Sequence, residues 1–332
     1  MFGEASVQRI PIGYPAESLV WDGDDLVDPV GGHRRWDAAG AETGRCFTYG
    51  SMFDRAIRSP SGAYTVIYAE LGTKGLVLDR DGRIVREIDR SYYCAEDYEY
   101  PVALGTLPDG REVIAHCPDE YNQLHLETVA DGVRLTGPHE GAPSFFHSRL
   151  AFSPDGRRLI SAGWVWHPWS IAQVYDVEVA LGDASSLDEA GLFGASEIFG
   201  EVESACWLDA DRVAVASSPD ANGGTESEAA VLGDGQLGVW SISQGQWVSR
   251  CRPDVRVGTV HSVLGGVLGL YGHPKVIDPA TGAVIAAWPE LDTGEREFSI
   301  CHARVPAVAV HPSGDRFAVA SPGMITVVRS GG

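Results

Sequence analysis

Apolar residues in this chain come in short runs, and each run is entered through a tight polar turn. The phrase reads SPSGAYTVIYA from Ser59, LPDGREVIAHC from Leu107, SPDGRRLISAG from Ser153 and HPSGDRFAVAS from His311. Gly, Asp, Ser and Pro supply the turn, each for its own backbone reason. The runs that follow are rich in Val and Ile and too short for helices. They read as buried strands. Seven such runs occur: DDLVDPV from Asp24, AYTVIYA from Ala63, REVIAHC from Arg111, RRLISAG from Arg157, DRVAVAS from Asp211, GGVLGLY from Gly265 and DRFAVAS from Asp315.

The pattern extends to both sides of each run. A strand precedes most turns, as SLVW does before Asp22 and ACWL before Asp209. A further strand follows and ends on a hydrophobic residue, usually with an acid after it. The pairs are Trp36-Asp37, Leu78-Asp79, Leu126-Glu127, Tyr175-Asp176, Trp240-Ser241, Ile277-Asp278 and Val328-Arg329, at a mean spacing of about 49 residues. Another turn then leads into a fourth strand, such as RCFTY from Arg45, RIVREI from Arg83, VRLTG from Val133, QWVSRC from Gln246 or AVIAAW from Ala283. Four short strands repeated seven times define an all-β fold, a seven-bladed β-propeller with four-stranded antiparallel blades. We expect one propeller domain over 1–332, with blades near 17–50, 53–91, 99–140, 147–197, 201–252, 258–291 and 303–329. The last unit lacks a fourth strand. SVQRIPI from Ser6 has strand character, so a strand at 6–12 is expected to complete the last blade and close the ring, removing two open sheet edges. The stretch from Leu181, LGDASSLDEAGLFGASEIF, is the best candidate for a short helix or irregular insertion.

On the SPDG-type turns, the strand pattern and strand ends like Trp36-Asp37, the chain resembles the WD-repeat β-propeller family across essentially its full length, as a divergent, bacterial-type member. It departs from that family in lacking the Gly-His dipeptide at the places where it opens many repeats, and in having one literal Trp-Asp among its seven strand-end pairs. Quinoprotein-like and TolB-like propellers are the alternative relatives.

If strands run in this order, two loop sets share one face: those joining successive blades, and those joining second and third strands. Unusual residues fall there. The loop before the third unit carries Tyr92, Tyr93, Glu96, Asp97, Tyr98, Glu99 and Tyr100; the loop inside it carries Asp119, Glu120 and Tyr121. The fourth unit has WVWHPWS, with Trp164, Trp166, His167 and Trp169, and the fifth has a long loop with Asp220, Glu226 and Glu228. Aromatic rings beside carboxylates can bury apolar surface and neutralise basic side chains, so these residues are the expected partner-binding face. The competing reading packs the Trp rings between blades and leaves the acids solvated.

Composition narrows the partner. The formal net charge of −21 disfavours nucleic acid, which needs a basic footprint, and favours a basic protein. No apolar stretch is long enough to span a membrane and no leader pattern is visible. The six Cys form no CxxC pair, which fits reduced thiols in the cytoplasm. Ten His show no HxxxH or HExxH spacing, and His116-Cys117 and Cys301-His302 are adjacent residues that a strand points to opposite faces, so no metal is expected. No nucleophile elbow, P-loop or dinucleotide fingerprint is present, and neither catalysis nor a cofactor is expected. The sequence therefore reads as a cytoplasmic, monomeric, non-enzymatic propeller presenting an acidic and aromatic face to a basic protein. That protein is either an assembly partner of a scaffold or a toxin held by an immunity-type inhibitor. An enzyme or ligand-binding propeller with its site in the central channel is the alternative.

Overall fold

The computed structural model describes residues 2–44, 47–50, 52–166, 169–194, 197–219, 231–296 and 305–331, without the side chain of Trp166. Seven antiparallel sheets follow one another along the chain. Blade 1 is built from Val20–Asp22, Asp25–Asp28 and Arg34–Trp36; blade 2 from Arg55–Arg58, Tyr64–Tyr68, Lys74–Asp79 and Ile84–Asp89; blade 3 from Val102–Thr106, Glu112–His116 and His125–Thr128. Blade 4 holds Leu150–Phe152, Arg158–Trp166 and Trp169–Asp176, blade 5 Val202–Trp207, Arg212–Ser217, Leu237–Ser241 and Gln246–Cys251, and blade 6 Val260–Val263, Gly266–Gly269, Lys275–Ile277 and Val284–Ala287. Blade 7 combines Val308–Val310, Arg316–Ser321 and Met324–Arg329 with the N-terminal Ser6–Pro11. The molecule is a seven-bladed β-propeller.

The repeated turn explains how each blade starts. In four blades the glycine N–H bonds back to the first turn residue: Gly62 to Ser59, Gly110 to Leu107, Gly156 to Ser153 and Gly314 to His311, at 2.8–2.9 Å. Gly156 has φ +69°, and a Cβ there would sit 1.8 Å from the Thr106 carbonyl oxygen of blade 3, so this corner admits no side chain. The second strands are buried on both faces because each blade is packed between two others. Val66, Ile67, Val113, Ile114, Leu159, Ile160, Val213 and Val267 are wholly inaccessible. First strands of neighbouring blades meet around the central axis. Trp21 and Trp207 each donate an indole N–H to the first strand of the preceding blade, to Ala309 O at 3.2 Å and Ala151 O at 2.9 Å.

Ser6–Pro11 pairs in register with Met324–Arg329, from Ser6 opposite Arg329 to Pro11 opposite Met324, and closes the ring as expected. The outer position differs between blades. In blades 1, 3 and 4 single bridges replace a full fourth strand: Trp36 with Glu42, Glu127 with Arg134 and Val174 with Phe193. Of the fourth strands read in the sequence, residues 47–49 of RCFTY are not extended into a sheet, and VRLTG contributes the Arg134 bridge alone. An outer strand has one paired edge and one face in water, so few contacts enforce it there. The helical insertion starts slightly earlier than its sequence signal, as Val177–Gly182 capped by the Asp176 carboxylate, followed by the 3-10 turn Ala184–Leu187. Among the described residues no helix is long and apolar enough to cross a membrane.

Candidate functional site

The approach to blade 3 is wound around one arginine. Arg90, 3 % exposed, donates from Nε to Gly72 O (2.7 Å) and from Nη2 to Ala95 O (2.6 Å), Tyr98 O (3.1 Å) and Glu70 O (3.3 Å). Its guanidinium lies over the rings of Tyr98 and Tyr100, at 4.4 and 5.1 Å. Tyr98 and Tyr100 are consequently interior residues, 3 % and 2 % exposed, and burial raises the Tyr98 hydroxyl to about 12. This corrects their assignment to a contact face: they hold the loop and offer no area to a partner. Cys94, at φ 52°, turns the loop so that its other half faces outward.

The outward half meets two further loops. Tyr92 and Tyr93 are 78 % and 58 % exposed. Tyr93 stacks at 5.9 Å on Phe146 and lies 5.2 Å from Tyr121. Tyr121 stacks on Phe146 at 4.2 Å, Trp164 packs against it at 4.7 Å, and Tyr98 meets it edge-on at 5.1 Å. Phe146 and Trp164 also exchange backbone hydrogen bonds, Phe146 N to Trp164 O at 2.7 Å and the reverse at 3.0 Å. Tyr93, Tyr98, Tyr121 and Trp164 thus converge on one ring, Phe146, in SFFH before blade 4. Trp169 turns aside and packs on Phe145, Ala142 and Ile171.

Among the acids of this sector, Glu96 and Glu120 are exposed, Asp97 is half-buried, and Asp119 is exposed in an ion pair with Arg134 at 2.9 Å. Glu99 has a different setting, at the mouth of the central channel. It accepts from Ser148 Oγ at 2.7 Å and pairs with Arg296 at 2.7 Å and Arg149 at 3.7 Å. Arg296 also pairs with Glu70 at 2.9 Å, and Glu70 with Arg55 at 2.6 Å. His167, Asp220, Glu226, Glu228 and the side chain of Trp166 lie outside the described residues, as do Cys46, Cys301 and His302.

Further round the mouth, Glu203 accepts from Arg256 Nε (2.6 Å) and Gly258 N (3.1 Å), and Arg256 lies over the Tyr271 ring at 4.3 Å. Glu201 is 7 % exposed; burial, with Glu203 nearby and Arg149 opposing, lifts its carboxyl to about 7. Below the mouth is a cavity of about 250 Å³ whose wall includes Arg55, Tyr68, His261, Tyr271, Thr293 and Arg296. Among the described residues no three His, Cys, Asp or Glu side chains are arranged to hold a metal, and Cys94, Cys117, Cys206 and Cys251 are free thiols.

The fold that carries this face is a seven-bladed β-propeller. A chain of the solved structure described as the crystal structure of the mitotic checkpoint complex superposes with a TM-score of 0.59, covering 98 % of this chain and 90 % of that one at 13 % identity. At that identity the likeness is one of fold. No family model matches the chain, and no curated protein matches it.

Proposed function

We propose that this chain is a divergent WD-repeat-type propeller that binds a basic protein in the cytoplasm through the loop face of blades 3 and 4, without catalysing a reaction. The observation that carries the reading is the platform centred on Phe146. Tyr93 stands exposed on an aromatic base of Phe146 and Tyr121, with the exposed Tyr92 next to it in the chain and Glu96 and Glu120 in the same loops. An exposed tyrosine already held against the base, as Tyr93 is, loses little freedom on binding, and exposed acids speed encounter with a cationic surface. The net charge of −21 supports the same partner chemistry, whether the chain acts as a scaffold or as an immunity-type inhibitor of a basic toxin. The test is retention of a basic protein by immobilised wild type, its release by high salt, and its loss from a folded Tyr92→Ala/Tyr93→Ala variant. A variant that retains every partner overturns the face. The cavity of about 250 Å³ in the channel supports a second reading, a site for a small ligand.

A further inference from the structure

Arg296 reaches an unusual distance round the ring. It leaves the connection between blades 6 and 7, which is anchored to blade 6 by Gly272 N to Gly294 O at 2.8 Å and Thr293 N to Gly272 O at 3.0 Å. Its Nη2 ends between Glu70 Oε1 at 2.9 Å and Glu99 Oε1 at 2.7 Å. Glu70 lies on blade 2 and Glu99 on the approach to blade 3, so blades 7 and 1 are skipped and the side chain crosses the channel mouth. Each carboxylate is held from its other oxygen: Glu70 by Arg55 at 2.6 Å, Glu99 by Ser148 at 2.7 Å. The Glu70 backbone N–H is tied to Asp54 Oδ1 at 2.8 Å. The two oxygens that face Arg296 are therefore preset, on frames that do not include Arg296.

We infer that Glu70 and Glu99 form a receiving site for a guanidinium of a protein partner, and that Arg296 fills it as an internal stand-in which the partner's side chain displaces. Two observations support this. The site already holds a guanidinium: Arg296 Nη2 bridges two acceptor oxygens, Glu70 Oε1 and Glu99 Oε1, in charge-assisted contacts. The adjoining cavity of about 250 Å³ is smaller than the ~300–1,000 Å³ of a drug-sized ligand site, and suits a single side chain entering along the channel between Tyr68 and Tyr271. The inference rests on the basic-partner reading for its biological setting, but the chemistry of the site can be tested without that partner.

The probe is the blocked peptide acetyl-Gly-Arg-Gly-amide, titrated at low salt and followed by NMR, with the uncharged citrulline peptide as control. Arg296→Ala is expected to bind the arginine peptide at least tenfold more tightly than wild type. Adding Glu70→Gln and Glu99→Gln should remove that gain, and the citrulline peptide should bind neither. A folded Arg296→Ala protein with no gain overturns the inference, as does a gain that survives both Gln substitutions. Should Arg296→Ala fail to fold, Arg296→Met keeps the apolar stem and gives the same reading. In wild type, the Arg296 side-chain Nε–H resonance is expected to move as the peptide saturates, and a stationary resonance overturns the inference. A captured basic partner with a flat peptide result removes the displacement of Arg296 alone. A positive peptide result with no captured partner removes the proposed face alone.

Discussion

Two regions of the loop-bearing side carry carboxylates, and they use them in opposite ways. On the sector of blades 3 and 4, Glu96 and Glu120 are exposed beside the exposed rings of Tyr92 and Tyr93. At the channel mouth, Glu70, Glu99 and Glu203 are all engaged by the chain's own arginines. The first arrangement leaves charge for an incoming surface. The second spends it on holding distant blades together, where a paired but partly desolvated ion contributes little net stability yet is costly to break. A net charge of −21 therefore does not by itself mark a binding face. The Asp22, Asp24 and Asp25 turns make the same point, since they pair with Arg35, Arg58 and Arg316.

The comparison can be broken most forcefully at the base of the aromatic platform. Phe146→Ala is expected to cost about 3–5 kcal/mol of stability, read from denaturant unfolding, because four aromatic neighbours lose a buried ring. A cost near zero would show that the platform is a loose surface layer. Tyr93→Ala separates binding from folding: about 2–4 kcal/mol is expected from partner affinity, with stability changed by less than about 1 kcal/mol. Equal losses in both would make the residue structural.

At the mouth, Glu201→Gln tests whether burial governs the acids there. The folded carboxyl is raised to about 7, against an ordinary value of 4.5. Between those values the native state holds a proton that the unfolded chain has released. The group's stabilisation is therefore complete below pH 4.5 and is lost as pH rises through 7. Glu201→Gln should consequently stabilise the protein by about 1–3 kcal/mol at pH 8 and change little at pH 4. His147 acts in the other direction: burial lowers it from 6.5 to about 3, so stability falls as pH drops below 6.5. The smallest effect is expected from Glu96→Gln/Glu120→Gln. Thermal midpoints should be unchanged within error, while the salt dependence of partner association flattens.

The ring itself was legible because each blade repeats the same local chemistry. Four glycine corners return hydrogen bonds to the first turn residue, and the N-terminal strand supplies the fourth strand that the last unit lacks. Outer strands were less legible. In blades 1 and 3, RCFTY and VRLTG have strand composition, but few tertiary contacts enforce a ladder. At the site, blade adjacency predicts that the loops of neighbouring blades share one sector; that Tyr93, Tyr121 and Trp164 meet on one ring is seen in the structure alone. Their hub, Phe146, gave no signal apart from two consecutive phenylalanines in a connection. Arg90 follows a strand end and reads as a surface residue, so the burial of Tyr98 and Tyr100 around it could not be seen. Glu99 reads as one more loop acid until the fold brings Arg296 to it.

The most direct test of the central claim compares wild type with Tyr92→Ala/Tyr93→Ala as bait for partners from the native host, at low and high salt, with folding of both checked by thermal unfolding. The account predicts one or more basic proteins held by wild type at low salt, released at high salt, and absent from the variant. Identical partners on both baits, or wild-type partners that are acidic and indifferent to salt, would contradict it.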